Sequence, residues 1–350
     1  MKISGFGRCA LSSCVAFLML AGCGGSQPPI GAPRAMPQGE RRAGTDGYIY
    51  VANSSEVGRG ATGKVLVFDA AASGNVSPVN VIGGSQTQLT QVNGIVANST
   101  CEIYVVDTDT SEIVGFAPGS TGNSAPNVVI SGASTDLACP IGLATDTSGN
   151  LYVANNAGSG CNDGSQLSGL LVFSAGSNGN VPPARNISGY QTGLYDANGV
   201  AVDGSGNAYV SQANSVNVFG PSEEGDSAPE AELTGSQTLL NEPWGLGVFN
   251  SRLYVGSCGG HYIERFAKAA SGNTPPTAVI SGPKTHLKSC IDGVAAGPSS
   301  GLVYAASLGP NAAITSFQGL AKRMDARPVT YLHGSNTQLV DPTYLFVTGS

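Results

Sequence analysis

Gly132-Ala133-Ser134-Thr135-Asp136-Leu137 is one copy of the motif that decides the fold of this 350-residue chain. The motif, Gly-x-x-Thr-x-Leu, occurs six times at intervals of 48, 57, 46, 47 and 52 residues, and its glycines are Gly84, Gly132, Gly189, Gly235, Gly282 and Gly334. A repeat of this length matches one four-stranded blade of a β-propeller. The number of copies therefore predicts six blades.

The sequence around each copy follows one order, which is clearest in the third unit. Residues 141–146 and 151–155 are apolar segments joined by the turn Ser148-Gly149-Asn150, and residues 170–173 and 184–188 supply a third and a fourth strand. No part of the chain after its N-terminus shows a sustained helical period. Fifty glycines, twenty prolines and 11% charged residues also fit a turn-rich sheet protein.

The two ends of the repeat region complete each other. The first unit begins at residues 48–51 with no inner strand before it, and residues 342–347 align with the inner-strand segment 243–248. A C-terminal strand that pairs with the N-terminal blade closes the ring and leaves no exposed sheet edge. We therefore predict an all-β fold over residues 48–350, a single six-bladed propeller of four-stranded antiparallel blades closed in this way.

One string in the last unit has the pattern of a catalytic nucleophile elbow. Gly297-Pro298-Ser299-Ser300-Gly301 matches Gly-x-Ser-x-Gly, but it occupies the place of the turn Ser148-Gly149-Asn150 in the third unit. No helix is predicted after it, although a nucleophile elbow requires one. We interpret the string as a hairpin turn.

The N-terminus predicts export. Lys2 and Arg8 flank an apolar run over residues 9–20, about a dozen residues, which is too short to span a bilayer and suits a signal peptide. Leu20-Ala21-Gly22-Cys23 resembles a lipobox, which implies removal of residues 1–22 and lipidation of Cys23. The alternative is an ordinary signal peptide with an incidental cysteine.

Residues 23–47 are rich in Pro, Gly, Gln and Arg and are predicted to be a disordered tether behind the lipidated Cys23. Gly24 follows Cys23, and resemblance to Gram-negative lipoproteins then implies the outer membrane of the cell envelope. The net charge of the chain is −7. An acidic protein repels phosphate backbones, so nucleic acid is excluded as a partner.

Candidate functional residues precede the glycine of each inner strand, because inner strands line the central channel and these positions lie at its mouth. They are Asn93, Ile141, Asn198, Trp244, Asp292 and Thr343. Asn93, Asn198 and Asp292 come from alternate blades, and their oxygens could hold a divalent cation such as Ca²⁺ or a polar ligand. Trp244 and Thr343 complete a candidate ligand site. The alternatives are that Asn and Asp favour the turn into the strand, and that Trp244 plugs the channel rather than stacking on a sugar.

Over residues 48–350 the repeat resembles the NHL and related TolB-like six-bladed propellers, which implies the fold and little about activity. The Asn-Gly and Asp-Gly pairs at Asn198 and Asp292 also resemble the channel ligands of the gluconolactonase and regucalcin family. That resemblance implies a divalent metal and the opening of lactones. In that family the two pairs lie in consecutive blades, whereas here the blade of Trp244 separates them.

Five cysteines remain after residue 23. The loop positions place Cys139 with Cys161, and Cys258 with Cys290, on the same face of the propeller, so we predict these two disulfides in an oxidising compartment. Cys101 is left over and is expected to be an unpaired thiol. A metal site is the alternative, but no Cys-x-x-Cys spacing supports it.

Two functions follow from these features. The first is a non-catalytic binding module for a protein or glycan, held at the bacterial cell envelope by its lipid and needing no cofactor. The second is a metal-dependent hydrolase of a small lactone or ester, with its metal at Asn93, Asn198 and Asp292.

Overall fold

The computed structural model describes residues 46–54, 62–157, 168–319 and 325–349. Within these ranges the chain forms 24 strands and no α-helix, so no helix there could cross a membrane. Four 3₁₀ turns of three residues each connect strands, at Ala133–Thr135, Tyr190–Thr192, Gly309–Asn311 and Ser335–Thr337. The N-terminal segment and Cys23 lie outside the described residues.

The strands form six sheets, and each sheet takes one strand of each of four kinds. The inner strands are β4 (Val92–Ala97), β8 (Pro140–Thr145), β12 (Ala197–Val202), β16 (Pro243–Phe249), β20 (Ile291–Ala296) and β24 (Asp341–Val347). The second strands are β1 (Tyr48–Ser54), β5 (Ile103–Asp107), β9 (Leu151–Asn155), β13 (Ala208–Gln212), β17 (Arg252–Ser257) and β21 (Leu302–Ser307). The third strands are β2 (Lys64–Asp69), β6 (Glu112–Phe116), β10 (Gly169–Phe173), β14 (Ser215–Phe219), β18 (Tyr262–Ala267) and β22 (Ala313–Gln318). The outer strands are β3 (Asn80–Ile82), β7 (Val128–Ile130), β11 (Arg185–Ser188), β15 (Ala231–Thr234), β19 (Ala278–Ile280) and β23 (Thr330–His333).

The predicted ring closure is confirmed. Blade 1 has the strand order β24-β1-β2-β3, whereas blades 2 to 6 each use four strands that are consecutive in sequence. The C-terminal strand β24 runs antiparallel to β1, with Tyr50 opposite Phe346 and Val51 opposite Leu345. Beyond the strand ends, the N–H of Gly47 donates to the carbonyl of Thr348 at 2.8 Å.

Because neighbouring strands are antiparallel, the connections alternate between two faces. We call the face on which the inner strands begin the mouth face. It carries the outer-to-inner connections and the second-to-third loops. The opposite face carries the turns from inner to second strands.

The hydrophobic core lies between neighbouring sheets. Each third strand contributes one phenylalanine without solvent exposure, and the six are Phe68, Phe116, Phe173, Phe219, Phe266 and Phe317. Full burial of such a side chain contributes about 1.5 to 3 kcal/mol. Because each third strand buries the same residue type, neighbouring blades pack against each other through equivalent contacts around the ring.

The Gly-x-x-Thr-x-Leu motif forms the turn that leaves each outer strand. In the first copy the hydroxyl of Thr87 donates to the carbonyl of Gly84 at 2.7 Å and accepts the N–H of Leu89 at 3.4 Å. The side chain of Asn123 in the next blade accepts the N–H of Gln86 at 2.7 Å. Gly84 has φ 133°, and a β-carbon there would lie 2.5 Å from Asn123 Oδ1. Glycine is therefore required both by the backbone and by the close approach.

Asp46 and Gly47, which the sequence placed in the tether, pack against the propeller. In blade 3 the carboxylate of Asp146 accepts the N–H of Ser148 at 2.9 Å and caps the turn between the first two strands. Blade 6 has Gly297 at that position. There the carboxylate of Asp46 accepts the N–H groups of Ser299 at 2.9 Å and Ser300 at 3.0 Å.

The carboxylate of Asp46 also accepts the hydroxyls of Ser300 and Tyr304, the latter at 2.9 Å. Asp46 is buried, and a β-carbon on Gly297 would collide with its carboxylate. The chain entering blade 1 therefore supplies the side chain that blade 6 lacks.

We expect Asp46→Ala to lower the free energy of unfolding by about 2 kcal/mol, because it leaves a buried phenol and two backbone donors without an acceptor. Gly297→Asp alone should also destabilise, since its carboxylate would meet that of Asp46. Combined, the two changes should restore at least half of the lost stability. Urea unfolding of the native chain, the two single variants and the double variant measures this cycle. If the two losses of stability simply add in the double variant, Asp46 does not replace the missing side chain.

Candidate functional site

The residues predicted at the mouth lie at equivalent points of the six inner strands. Five are the second residue of their strand, and Thr343 is the third residue of β24. In every inner strand the pairing register shifts at this point. In β4, for example, Val92 pairs with Asp107 and Ile95 with Val105, so Asn93 and Gly94 face one partner residue. All six shifts are β-bulges of this kind, and a bulge re-aims the side chain that it carries.

In five of the six inner strands, the glycine after the candidate residue lets neighbouring inner strands touch. A β-carbon on Gly94 would lie 2.5 Å from the nitrogen of Leu143 in the next blade, and one on Gly245 would lie 2.5 Å from the nitrogen of Val294. Neighbouring inner strands are therefore in close contact at this level. In β24 the glycine is replaced by Tyr344.

The two asparagines are tied to neighbouring loops. Asn93 is buried, and its Nδ2 donates to Thr108 Oγ1 at 2.6 Å. Asn198 is buried, and its Oδ1 accepts Asn156 Nδ2 at 3.4 Å. These contacts hold the second-to-third loops on the mouth face. Within the described part of the chain no hydrogen bond joins any two of Asn93, Asn198 and Asp292.

Thr343 and Trp244 have different environments. The hydroxyl of Thr343 lies 3.1 Å from the carbonyl of Val92, so it bonds the backbone of the neighbouring blade. Trp244 is half-buried and packs against an apolar cluster that contains Ile141 and Tyr344. Its indole therefore contacts this apolar cluster, and part of the indole surface stays accessible to solvent.

Asp292 is a buried carboxyl group without a proton donor. It is 2% exposed, and its one close polar contact among the described residues joins its Oδ1 to Cys290 Sγ at 2.7 Å. Cys290 is joined to Cys258 by a disulfide with an S–S length of 2.04 Å, which is the pair expected from the loop positions, so this sulfur carries no proton. Burial raises the pKa of Asp292 well above its usual value, and the nearby charge of Asp341 raises it further.

The trio Cys258, Cys290 and Asp292 comes close enough to resemble a metal site. The metal-binding form of cysteine is the thiolate, and both of these sulfurs are oxidised in a disulfide. The trio is therefore a braced loop beside a carboxyl group.

Two residues that the sequence interpretation missed complete this sector of the mouth. Asp341 is half-buried, and burial raises its pKa although the N–H of Gly309 stabilises its charge. Tyr344 is 7% exposed, and its hydroxyl makes no hydrogen bond within the described residues. Burial first, and then the charge of Asp292, raise the pKa of Tyr344 well above its usual value. The signal in the sequence was the loss of the repeated glycine at Tyr344.

The expectation that Cys101 is an unpaired thiol is wrong, because Cys101 is disulfide-bonded. Cys139 is disulfide-bonded too. The predicted pairing of Cys139 with Cys161 cannot be followed, since Cys161 lies outside the described residues. The sequence interpretation set the N-terminal cysteines aside before it paired the others. The number of cysteines that remain does not show which sulfurs approach within bonding distance.

Glu264 is a second carboxyl group buried near the mouth face. It has no solvent exposure, and Ser257 Oγ donates to its Oε1 at 2.8 Å. Burial raises the pKa of Glu264 well above its usual value. Burial, and then the charge of Glu264, also raise the pKa of Tyr262. No positive group offsets this burial among the described residues.

Comparisons with known proteins identify the fold and no family. No family model and no curated protein matches the chain. A chain of the crystal structure of a nidogen/laminin complex is similar over 86% of this chain and 98% of its own length, with a TM-score of 0.59 and 15% identity. A protein of unknown function from Bacteroides caccae is similar over 87% of this chain and 99% of its own length, with a TM-score of 0.60 and 10% identity. At identities this low, the structural similarity shows a shared fold alone.

We expect the stability contributed by Glu264 to fall as the pH rises. Its pKa is higher in the folded than in the unfolded chain, so this contribution is complete below about pH 4.5 and is lost as the pH rises through the folded pKa. Glu264→Gln keeps an acceptor for Ser257 and does not ionise. The variant should therefore gain stability relative to the native chain between pH 4.5 and 8, as measured by urea unfolding. Exposed Glu232→Gln is the control, and parallel profiles for Glu264→Gln and the native chain would refute the expectation.

Proposed function

We propose that this chain is an exported propeller that binds a protein partner on its mouth face without catalysis. The observation that carries the proposal is a pair of exposed tyrosines on that face, Tyr190 at 78% and Tyr195 at 65% exposure. Tyrosine combines a large apolar surface with a hydroxyl and is enriched in protein interfaces. Leu239 and Val340 are also exposed on outer-to-inner connections, at 48% and 47%.

The backbone that presents the tyrosines is held in place. The N–H of Tyr195 donates to Gln212 Oε1 at 3.0 Å, and its carbonyl accepts Ser168 Oγ at 3.0 Å. Tyr190 begins the 3₁₀ turn of its motif, and the hydroxyl of Tyr195 lies 3.5 Å from the carbonyl of Tyr190. A surface that is already ordered loses less conformational entropy when a partner binds.

The similarity to a chain in a nidogen/laminin complex supports a protein partner, because that chain was crystallised in a complex between proteins. A shared fold alone does not decide function. The exposed tyrosines therefore carry the proposal, and the similarity agrees with it. We also propose that the repeat is of the NHL-like or TolB-like kind.

Anchoring is the second part of the proposal. Cleavage after residue 22 and lipidation of Cys23 would hold the propeller at the bacterial cell envelope, on the outer membrane. The described chain begins at Asp46, which bonds the turn between the first two strands of blade 6 on the opposite face. An anchor upstream of Asp46 would therefore join the propeller on the face opposite the mouth.

Metal-assisted opening of a small lactone or ester at Asn93, Asn198 and Asp292 is the alternative function. It is favoured by one observation, the equivalent bulge positions of the three residues in alternate blades. The hydrogen bonds of the two amides and the missing donors around Asp292 favour binding over metal-assisted chemistry. Titration of the chelator-treated protein with Ca²⁺, Zn²⁺ and Mn²⁺ in a calorimeter, with Asp292→Ala as control, distinguishes them. Saturable heat that disappears in the variant would support the hydrolase.

The binding proposal is tested with a phage-displayed peptide library selected on the full protein. Peptides that bind should lose at least tenfold in affinity for the double variant Tyr190→Ala/Tyr195→Ala, since loss of a central aromatic contact costs more than about 1.4 kcal/mol. Calorimetry or surface plasmon resonance measures the change.

The matched control is Val76→Ala/Val79→Ala, which removes exposed side chains from a third-to-fourth loop and should leave the affinity unchanged. Equal affinity for the tyrosine variant would contradict the proposal. Selective binding to a glycan array, with no peptide enriched, would replace the protein partner by a glycan.

A further inference from the structure

Unpartnered polar groups gather where blades 6 and 1 meet at the mouth. Asp292 has no N–H or O–H donor among the described residues, and the buried hydroxyl of Tyr344 has no partner there. The strands that carry them touch, because a β-carbon on Gly293 would lie 2.9 Å from the Cα of Tyr344. Buried polar groups in native proteins are almost always hydrogen-bonded, so this sector lacks a component.

Ser307 adds a third orphan to the same sector. It pairs with Ile291, the residue before Asp292, and its buried hydroxyl makes no hydrogen bond within the described residues. In the other blades the equivalent side chain bonds the outer-to-inner connection, as Asn155 does with the N–H of Ala138 at 2.8 Å. Blade 6 therefore departs from the repeat in more than its turn.

The missing component carries positive charge. The charge of Asp341, which is half-buried, disfavours ionisation of the buried carboxyl group of Asp292. The ion pairs in the described part of the chain are Lys268–Asp203 and Lys284–Asp325, and neither reaches this sector. A cation beside the two carboxyl groups would offset their repulsion and give Asp292 the donor that it lacks.

The acceptors suit a primary ammonium better than a metal ion. Ca²⁺ takes six to eight oxygen ligands, but the nearby amides of Asn93 and Asn198 are already bonded to loops. An ammonium has three N–H donors, and Asp292, Asp341 and Tyr344 provide three oxygen acceptors. Trp244 keeps part of its ring accessible, and an indole face attracts an ammonium and covers its methylene stem.

We propose that Asp292, Asp341 and Tyr344 form a receptor for one primary ammonium group, carried by a lysine side chain of the protein partner. The inference rests on the proposed function, because it names the chemistry that a partner would insert at the mouth. The net charge of −7 also favours a basic partner.

The single tryptophan of the chain provides the test, because any change in intrinsic tryptophan fluorescence comes from Trp244. The probe is Nα-acetyl-lysine methylamide, titrated into the full protein at low ionic strength. We expect a saturable fluorescence change that norleucine and Nε-acetyl-lysine methylamides do not produce. Asp292→Asn and Asp341→Asn should weaken binding at least tenfold, and Tyr344→Phe several-fold.

The control variant is Asp109→Asn, which removes an exposed negative charge from the mouth face outside this cluster and should leave binding within twofold. Thermal melting checks that each variant folds. Asp292→Asn should melt no lower than the native chain, because it replaces a buried carboxyl group that lacks a donor and is near a like charge. Loss of binding then cannot be assigned to unfolding.

Four results would overturn the receptor. Equal responses to the norleucine probe would mean an apolar pocket, and a response to Ca²⁺ that needs Asp292 would mean a metal site. A lysine response retained in both aspartate variants would place the ammonium elsewhere. If no probe changes the fluorescence while selected peptides still depend on Tyr190 and Tyr195, the receptor is wrong and the binding module stands.

Discussion

One contact, repeated around the ring, holds each blade to the next. A side-chain oxygen from the third-to-fourth loop of one blade accepts a backbone N–H from the Gly-x-x-Thr turn of the preceding blade. The donor–acceptor distances range from 2.6 to 2.8 Å, and the accepting residues are Asn75, Asn123, Asn180, Asp226, Asn273 and Asp325. Each motif is thus hydrogen-bonded twice, once by its own threonine and once by the neighbouring blade. Because every copy is present, each blade is fixed to the next by the same contact, and neighbouring inner strands touch.

The close contact of the inner strands determines which side chains reach the mouth. Inner strands this close leave room for glycine beside the channel, and the bulge before each glycine presents one side chain to the mouth. At the mouth, Asn93 and Asn198 bond neighbouring loops. At the junction of blades 6 and 1, the hydroxyls of Tyr344 and Ser307 have no partner among the described residues, and Tyr344 also departs from the repeat. The repeated residues therefore form the scaffold, and the candidate ligand-binding groups lie where the repeat is interrupted.

The fold could be predicted because the repeat is visible in one dimension. The number of blades, the closing strand and the Cys258–Cys290 pair all follow from positions relative to the motif, and the structure agrees. Tyr344 and Asp341 escaped because their importance depends on which neighbours lie across the ring. Cys101 escaped for a similar reason, since pairing depends on distance rather than number. Asp46 was assigned to the tether because nothing near it in sequence shows that a turn 250 residues away lacks a carboxylate.

The bond between Asp46 and blade 6 has a mechanical consequence. A pull on the chain upstream of Asp46 first loads its four contacts with Ser299, Ser300 and Tyr304, and only then the ladder between β1 and β24. Tension is therefore divided between two blades instead of peeling the first strand from the ring one bond at a time. With the proposed anchor at the N-terminal end, a single carboxylate would shield the closing pair of strands from drag.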